Sequence, residues 1–570
     1  MICDPFDGKY HMTFKTLNLW LASILVGLIL GVFGATAAHY FRVGILFIEK
    51  SSQNYFHDSI SFIFFFCSLS IAAILISLIK KIVKVKEWQG TADTIFAAHR
   101  IDNELDVKAG LTSTLVAFIS AGGGASVGQY GPLVHFGATL GALIKGKFKL
   151  PITTDVFLGG GVAAAISAGF NAPLAGIIFA HEAILRHFSL NAMAPIALAS
   201  GTAFAVHNFL WDASTPFIQP YSNTPLSPMM FSSIVIGPFF GLIAVLFMST
   251  ILMFSKLPEK MGLTSFQSLL IAIMGLSLIG TWYPEVMGLG TIAIVNLTSA
   301  DGLFIVAVAI LIAKILATAL SLGFGFFGGV FSPALLVGAA AGSAATALIN
   351  MTGIYTFHGP ELVICGMAAV AGSVIGAPFS MIIIVLELTG SYSLALTSTI
   401  GIVTSTMISN QYFGPSLFDK QLLNRNIDLS QGRMGLRLME ENISSIISLD
   451  GLKFKSAEEV SSALSTMVKY GNTEAYVVFN NGKYAGKLIL GSLIVANPKD
   501  QVINFIERDA LTIKSDASLQ QAIEAAANFI GESIPIVERE SDIFIGTVNE
   551  GDIFKLYLEL QGQTLDLEKR

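Results

Sequence analysis

Two short segments carry the chemistry this sequence can offer: GQYGP (128–132) and GVFSP (329–333). Proline is tolerated in the first turn of a helix because its missing N–H is one of the orphan donors there. The glycines ahead of it permit close backbone approach. A helix start of this kind leaves amide N–H groups and the positive end of the helix dipole facing outward, which stabilises an anion. Without a fixed positive side chain the ion is held weakly enough to leave again. Phosphate-binding loops also join glycine to a helix start, but no GKS/GKT or Asp partner follows here. The sequence shows no Ser/His or Asp/Asp pair at helical spacing and no HExxH, so an intramembrane enzyme, the third hypothesis, is set aside and no catalytic residues are expected. The three cysteines, Cys3, Cys67 and Cys365, have neither CxxC nor metal-like spacing, so neither a disulfide framework nor a metal site is expected.

The elements that must position these segments are membrane helices. Of 570 residues 53% are hydrophobic and only 13% charged, against about 25% charged in soluble domains. Residues 15–415 are almost free of charge over long runs, while 420–570 read as an ordinary soluble domain. The net charge of −6 implies no nucleic-acid partner. The apolar stretch from Leu17 to about Phe47 is too long for a signal-peptide core and reads as a first span. Several later runs are broken at their middles by Gly or Pro, as in GGGASVGQYGP (122–132), GFNAPLAG (169–176), GFGFFGGVFSP (323–333) and GSVIGAPFS (372–380). In a bilayer such a break is tolerated only where it is buried in protein or lines a water-filled cavity, so four of them point to a transport path.

An internal repeat sharpens this. GVAAAISAGFNAPLAGIIFAHE (161–182) aligns without gaps on GMAAVAGSVIGAPFSMIIIVLE (366–387), with eight of 22 positions identical, among them Gly161/Gly366, Pro173/Pro378 and Glu182/Glu387. Upstream, GQYGPLVHFGA (128–138) matches GVFSPALLVGA (329–339). Paired broken helices in two halves of a membrane protein mark a binding site near the midplane. Lys80, Lys81, Lys84 and Lys86 follow the second apolar run and are expected inside, which also places both termini in the cytoplasm. The tail holds two similar α-β-β-α units, with β-like runs at 476–496 and 534–558.

These residues resemble the CLC family of chloride channels and proton-coupled anion exchangers. GQYGP is similar to the family's GREGP, GVFSP to its GxFxP, FNAPLAGIIFAHE (170–182) to the segment after GREGP, and GPSLFDKQL (414–422) to the end of the last membrane helix. The tail resembles a tandem CBS pair. The resemblance implies an all-α polytopic membrane domain with inverted-topology repeats and broken helices, followed by a cytoplasmic α/β tandem CBS domain. The expected bounds are 1–420 (repeats about 15–215 and 228–413) and 421–570 (modules about 440–500 and 505–560). It further implies a multi-pass protein, expected in a bacterial inner membrane, that forms a homodimer with a pore in each subunit.

Carried over position by position, the resemblance assigns the central anion to the amides of Val330 and Phe331 and the outer site to Tyr130 and Gly131. Phe418 falls where the family has a tyrosine whose hydroxyl touches the ion. The family's GSGIP has only QGTADTI (89–95) as counterpart, with Gly90 at the serine position or, after a one-residue shift, Thr91; chloride against nitrate stays open. Tyr130 occupies the place of the gating glutamate, and a phenol titrating near pH 10 cannot cycle protons near neutrality. The inner glutamate position aligns with Ala183, just after Glu182. The expectation is a passive, proton-independent anion channel, most readily for chloride, with Tyr130 at the outer gate. Its alternative is a slow or weakly coupled exchanger with protons routed through His181 and Glu182. No cofactor is expected in the membrane part. An adenine nucleotide at the CBS pair would meet Asp552 and, where a hydroxyl is usual, Asn549; a purely structural role for the tail is the other reading.

Overall fold

The computed structural model describes residues 14–569 apart from 53–60, 86, 101, 149, 151, 212–224, 300–302 and 528. Lys86, and residues 1–13 on which the inside position of the N-terminus rests, lie outside the described residues. The chain divides into two compact units, Met1–Ile427 and Asp428–Arg570.

The first unit is helical. Its first half runs α1 Phe14–Ser52, α2 Ser61–Val83, α3 Thr91–His99, α4 Val107–Gly122, α5 Tyr130–Lys147, α6 Thr154–Phe170, α7 Pro173–Phe179 and α8 Leu190–Trp211, with a π-helical turn, Ala180–Leu185, after α7. The second half runs α9 Leu226–Lys260, α10 Ser265–Trp282, α11 Thr291–Ser299, α12 Phe304–Gly323, α13 Phe331–Thr352, α14 Glu361–Ile375, α15 Pro378–Thr389 and α16 Tyr392–Tyr412; the short α17, Leu417–Leu423, closes the unit. Among the described residues, seven helices are long and apolar enough to cross a membrane. Others, such as α6, α14 and α15, are apolar but shorter; a full crossing takes about 20 residues. Their ends therefore fall inside the protein, as the glycine and proline breaks require. Asn171, left-handed at φ 57°, ends α6 two residues before Pro173 opens α7, and Gly376 at φ 74° does the same before Pro378 and α15.

The repeat is visible as repeated contact. A methyl group on Gly161 of α6 would lie 1.9 Å from the carbonyl oxygen of Gly137 in α5, and one on Gly366 of α14 would lie 2.4 Å from that of Gly338 in α13. Both pairs of helices therefore touch backbone to backbone, which accounts for the shared glycine at 161 and 366. In the second unit the sequence duplication becomes two small sheets. β1 Lys453–Lys455, β2 Glu474–Val478, β3 Tyr484–Ile489 and β4 Ile506–Glu507 form the first in that order; β5 Ile513–Lys514, β6 Ile534–Val537 and β7 Phe544–Val548 form the second. Each begins with a parallel pair, continues antiparallel, and carries an irregularity at the same place, Val477/Val478 and Ile536/Val537. The modules meet through a bridge between Lys483 and Ile543.

A Gly366→Ala substitution should cost about 1–3 kcal/mol through overpacking of α13 on α14, read as a lower Tm of the purified protein. Gly146→Ala, where an added methyl meets nothing within 4 Å, is the control. Equal Tm values for the two variants would show that the close contact is not needed.

Candidate anion site

The two segments that opened the sequence reading lie side by side. The Gly128 N–H donates to the Gly329 carbonyl at 2.6 Å and the Gly329 N–H returns a bond to the Gly128 carbonyl at 2.9 Å, an antiparallel bridge between the starts of α5 and α13. The Gln129 N–H adds a bond to Ser332 Oγ at 3.3 Å. No room is left for side chains: a methyl on Gly329 would fall 2.9 Å from the Gly131 nitrogen, and one on Gly128 2.9 Å from the Ser332 nitrogen. Neither α5 nor α13 has a side-chain cap, so the orphan amides of their first turns stay open to another acceptor.

A cavity of about 320 Å³ adjoins these starts, lined by Gly90, Thr91, Gly131, Val330 and Phe418 among others. The structure thus brings five of the sequence-selected residues to one space. Tyr130 and Phe331 do not line it. Tyr130 is buried, its ring stacked on Phe170 at 3.8 Å and 15° and lying 5.3 Å from the ring of Phe331. Phe170 and Phe179 also approach Phe331, at 5.1 and 6.4 Å, so the first residues of α5 and α13 share one aromatic cluster.

The cavity has residues that sequence reasoning missed. The Asp93 carboxylate accepts the Gly90 N–H at 2.7 Å, and its other oxygen accepts from Arg425 at 2.7 Å. Asp93 thus takes the N–H of Gly90, the residue that precedes α3. Gly-x-x-Asp is a capping pattern and was a legible signal; the distant arginine was not. Thr91 Oγ1 borders the cavity and donates to the Gly131 carbonyl over 3.4 Å. Phe418 sits at the start of α17, where Ser416 caps the Asp419 N–H at 3.1 Å and Asp419 pairs with Arg186 at 2.6 Å.

His181 and Glu182 lie elsewhere, in the π-helical turn after α7. Glu182 accepts the N–H groups of Phe379 and Ser380 at 2.9 and 2.7 Å and the Ser380 hydroxyl at 2.6 Å, so it caps α15. Glu387, its repeat partner in α15, accepts from Leu174 and Ala175 at 2.9 and 2.8 Å and caps α7. His181 is fully buried, with Nδ1 3.1 Å from the His187 carbonyl oxygen and its ring stacked on Phe188.

In the second unit Asn549 Oδ1 accepts the Asp552 N–H at 2.8 Å, within the first turn of the helix Glu550–Lys569. Between the modules Tyr476 stacks on Phe544 at 5.2 Å and Tyr484 on Phe544 at 6.1 Å, while the Tyr476 hydroxyl meets Ser533 and a buried ion pair joins Lys487 to Glu474. Burial pushes the Tyr476 phenol up to about 12 and raises that of Tyr484 as well. Asn549 Oδ1 is engaged as a cap of that helix, and the rings of Tyr476, Tyr484 and Phe544 lie together where the modules meet.

Comparison with known proteins gives a consistent picture. The family model for the voltage gated chloride channel matches residues 71–410, and that for the CBS domain matches 502–559. The H(+)/Cl(−) exchange transporter ClcA of Klebsiella pneumoniae is 27% identical over 317 residues, 54% of this chain and 66% of that protein, so the match spans just under two thirds of the relative's length. Among solved structures, a slow cyanobacterial Cl−/H+ antiporter matches with TM-score 0.62 and 20% identity over 72% of this chain and 98% of that one. A eukaryotic CLC transporter matches with TM-score 0.61 and 17% identity over 94% and 98%.

Replacing Glu182 by Ala should destabilise the first unit by about 1 kcal/mol, the usual scale of a lost helix cap, and Glu387→Ala should do likewise. Thermal unfolding of the purified variants measures this; a Tm equal to that of the parent would remove the capping role.

Proposed function

This chain belongs to the voltage gated chloride channel family, and from that premise we propose that it is a passive, proton-independent path for a small anion, chloride first. The observation that carries the reading is the meeting of two uncapped helix starts, α5 and α13, at one cavity. Each start presents about half a positive charge, worth up to about 2 kcal/mol to a partly buried anion. The amides of Val330 and Phe331 hold the central ion, and those of Tyr130 and Gly131 the outer one. Thr91, at the cavity with a hydroxyl held only by a long bond to the Gly131 carbonyl, serves the ion in preference to Gly90, whose amide Asp93 takes. Phe418 contributes a ring and no donor. Arg425 neutralises Asp93, which would otherwise repel an anion at the cavity wall.

The absence of proton coupling rests on three side chains. Tyr130 replaces a carboxylate by a phenol and packs among Phe170 and Phe331, so its ring is an aromatic closure of the outer path. Glu182 is engaged as a cap, and Ala183 next to it carries nothing to titrate. The rival reading, a slow proton/anion exchanger, is favoured by the names of the relatives and keeps His181 as a carrier; the imidazole does not border the cavity. We take the protein as a multi-pass homodimer with both termini in the cytoplasm and the tail as a scaffold without nucleotide.

In liposomes holding opposed chloride and proton gradients, chloride should move down its gradient with no uphill proton movement. Proton pumping driven by chloride would overturn the channel reading. Tyr130→Ala should raise the anion flux several-fold by opening the outer path, whereas an unchanged flux would reduce the ring to packing. Millimolar ATP should leave the Tm of the full chain unmoved; a saturable rise would restore a nucleotide site.

A further inference from the structure

The pair of Asp93 and Arg425 on the cavity wall does more than a helix cap requires. Asp93 is the third residue of α3, and a cap from that place needs one acceptor oxygen, which the Gly90 N–H uses: Oδ2 lies 2.7 Å from the Gly90 nitrogen. The other oxygen, Oδ1, has no part in the cap. It accepts at 2.7 Å from the guanidinium of Arg425, which lies just past the end of α17. Stability is a poor reason for this second contact. The side chains keep 41% (Arg425) and 18% (Asp93) of their surface exposed, and an ion pair so exposed contributes little to folding. Its place is the telling feature. Asp93 and Arg425 are the only charged side chains among the described residues that line the cavity, and Gly90 and Thr91 line it beside them.

A carboxylate held at once by a backbone N–H and a guanidinium sits as a dissolved anion would, since both donors bind anions in general. That seat is filled from within the chain. We propose that Asp93 sets how tightly the cavity holds its anion, by withholding from the ion two donors on the wall, the Arg425 guanidinium and the Gly90 N–H. The proposal rests on the anion-path reading and deepens it. With the pair intact, the ion meets the uncapped starts of α5 and α13 and leaves them readily. Without the carboxylate, Arg425 faces the cavity as a bare charge, so the ion is held and its passage slows. Without the guanidinium, the carboxylate stands alone on the wall and repels the ion. The two residues therefore act on the ion with opposite signs. A pair kept only to fasten α3 to the chain after α17 would show no such opposition, because either loss breaks the same contact.

Asp93→Asn removes the charge and leaves an amide oxygen to accept the Gly90 N–H. Isothermal titration of the detergent-solubilised full chain with sodium chloride measures binding, and chloride efflux from liposomes measures passage. Asp93→Asn should lower the half-saturating chloride about fivefold or more, corresponding to about 1 kcal/mol, and Arg425→Gln should raise it by a similar factor. Maximal efflux should fall several-fold in Asp93→Asn, whose ion leaves more slowly. The double variant should return to within about twofold of the parent, as a double-mutant cycle requires of two residues that act through each other. Asp93→Ser, which keeps a short acceptor, should repeat the shift and takes the place of Asp93→Asn where that variant does not fold. Single variants that move the half-saturating chloride in the same direction, or leave it unmoved, would overturn the role of Asp93, as would a double variant displaced further than either single one. Binding needs no transport, so the two readings fail separately. Opposite shifts in a protein that passes no chloride would leave Asp93 in its role and overturn the anion path, whereas ordinary chloride passage without the shifts would overturn the role of Asp93 alone.

Discussion

Backbone N–H and C=O groups inside a bilayer have no water to bond to, so a chain that breaks its helices there must supply each broken end with a partner. In this protein the two halves supply one another. Gly128 and Gly329 exchange two hydrogen bonds across the starts of α5 and α13. Glu182 caps the start of α15, and Glu387 caps the start of α7. Each exchange runs in both directions, the signature of two halves related by a two-fold. Neither half has a complete set of partners by itself, so the broken helices and the pairing of the halves stand or fall together.

The candidate site is what this accounting leaves over. Among the helix starts at the cavity, that of α17 is capped by Ser416, and beside α3 the Asp93 carboxylate takes the N–H of Gly90. The starts of α5 and α13 have no side-chain cap, and the glycines that let them pair also keep side chains away from the first-turn amides. These amides are therefore open to the cavity, and the one arginine among its described lining residues is paired with Asp93, an arrangement that suits passage of an anion over its retention. The one acid on the cavity wall, among the described lining residues, is neutralised by Arg425.

Much of this was legible because a repeated structural demand leaves a repeated residue. Gly161 and Gly366 recur because each touches a neighbouring backbone; Pro173 and Pro378 recur because each opens a helix. Glu182 and Glu387 were visible as a pair too, yet their work was not. A lone carboxylate in an apolar helix reads as a group that titrates, and its amide partners lie 197 and 213 residues away. Arg425 is 332 residues from Asp93, beyond any local pattern. Gly90 and Thr91 could not be separated in sequence because the decision falls to a hydrogen bond from Asp93. In the tail, the alternation of strands foretold the two modules, but not that Tyr476, Tyr484 and Phe544 would fill the space between them, since that depends on which faces meet.

The tyrosine at position 130 has a consequence that a carboxylate would not. A carboxylate in that place can change its charge near neutral pH. A phenol ring leaves only when its packing is broken. Its stack on Phe170 is worth about 0.5–1.5 kcal/mol beyond the area buried, and each 1.4 kcal/mol sets the open population by about a factor of ten. The ring of Phe331 belongs to the same cluster, while the amide of Phe331 belongs to the proposed central site. Displacing Tyr130 therefore disturbs the packing of Phe331, the first residue of α13. On the proposed reading, closure and occupancy would be coupled through van der Waals contact among these rings.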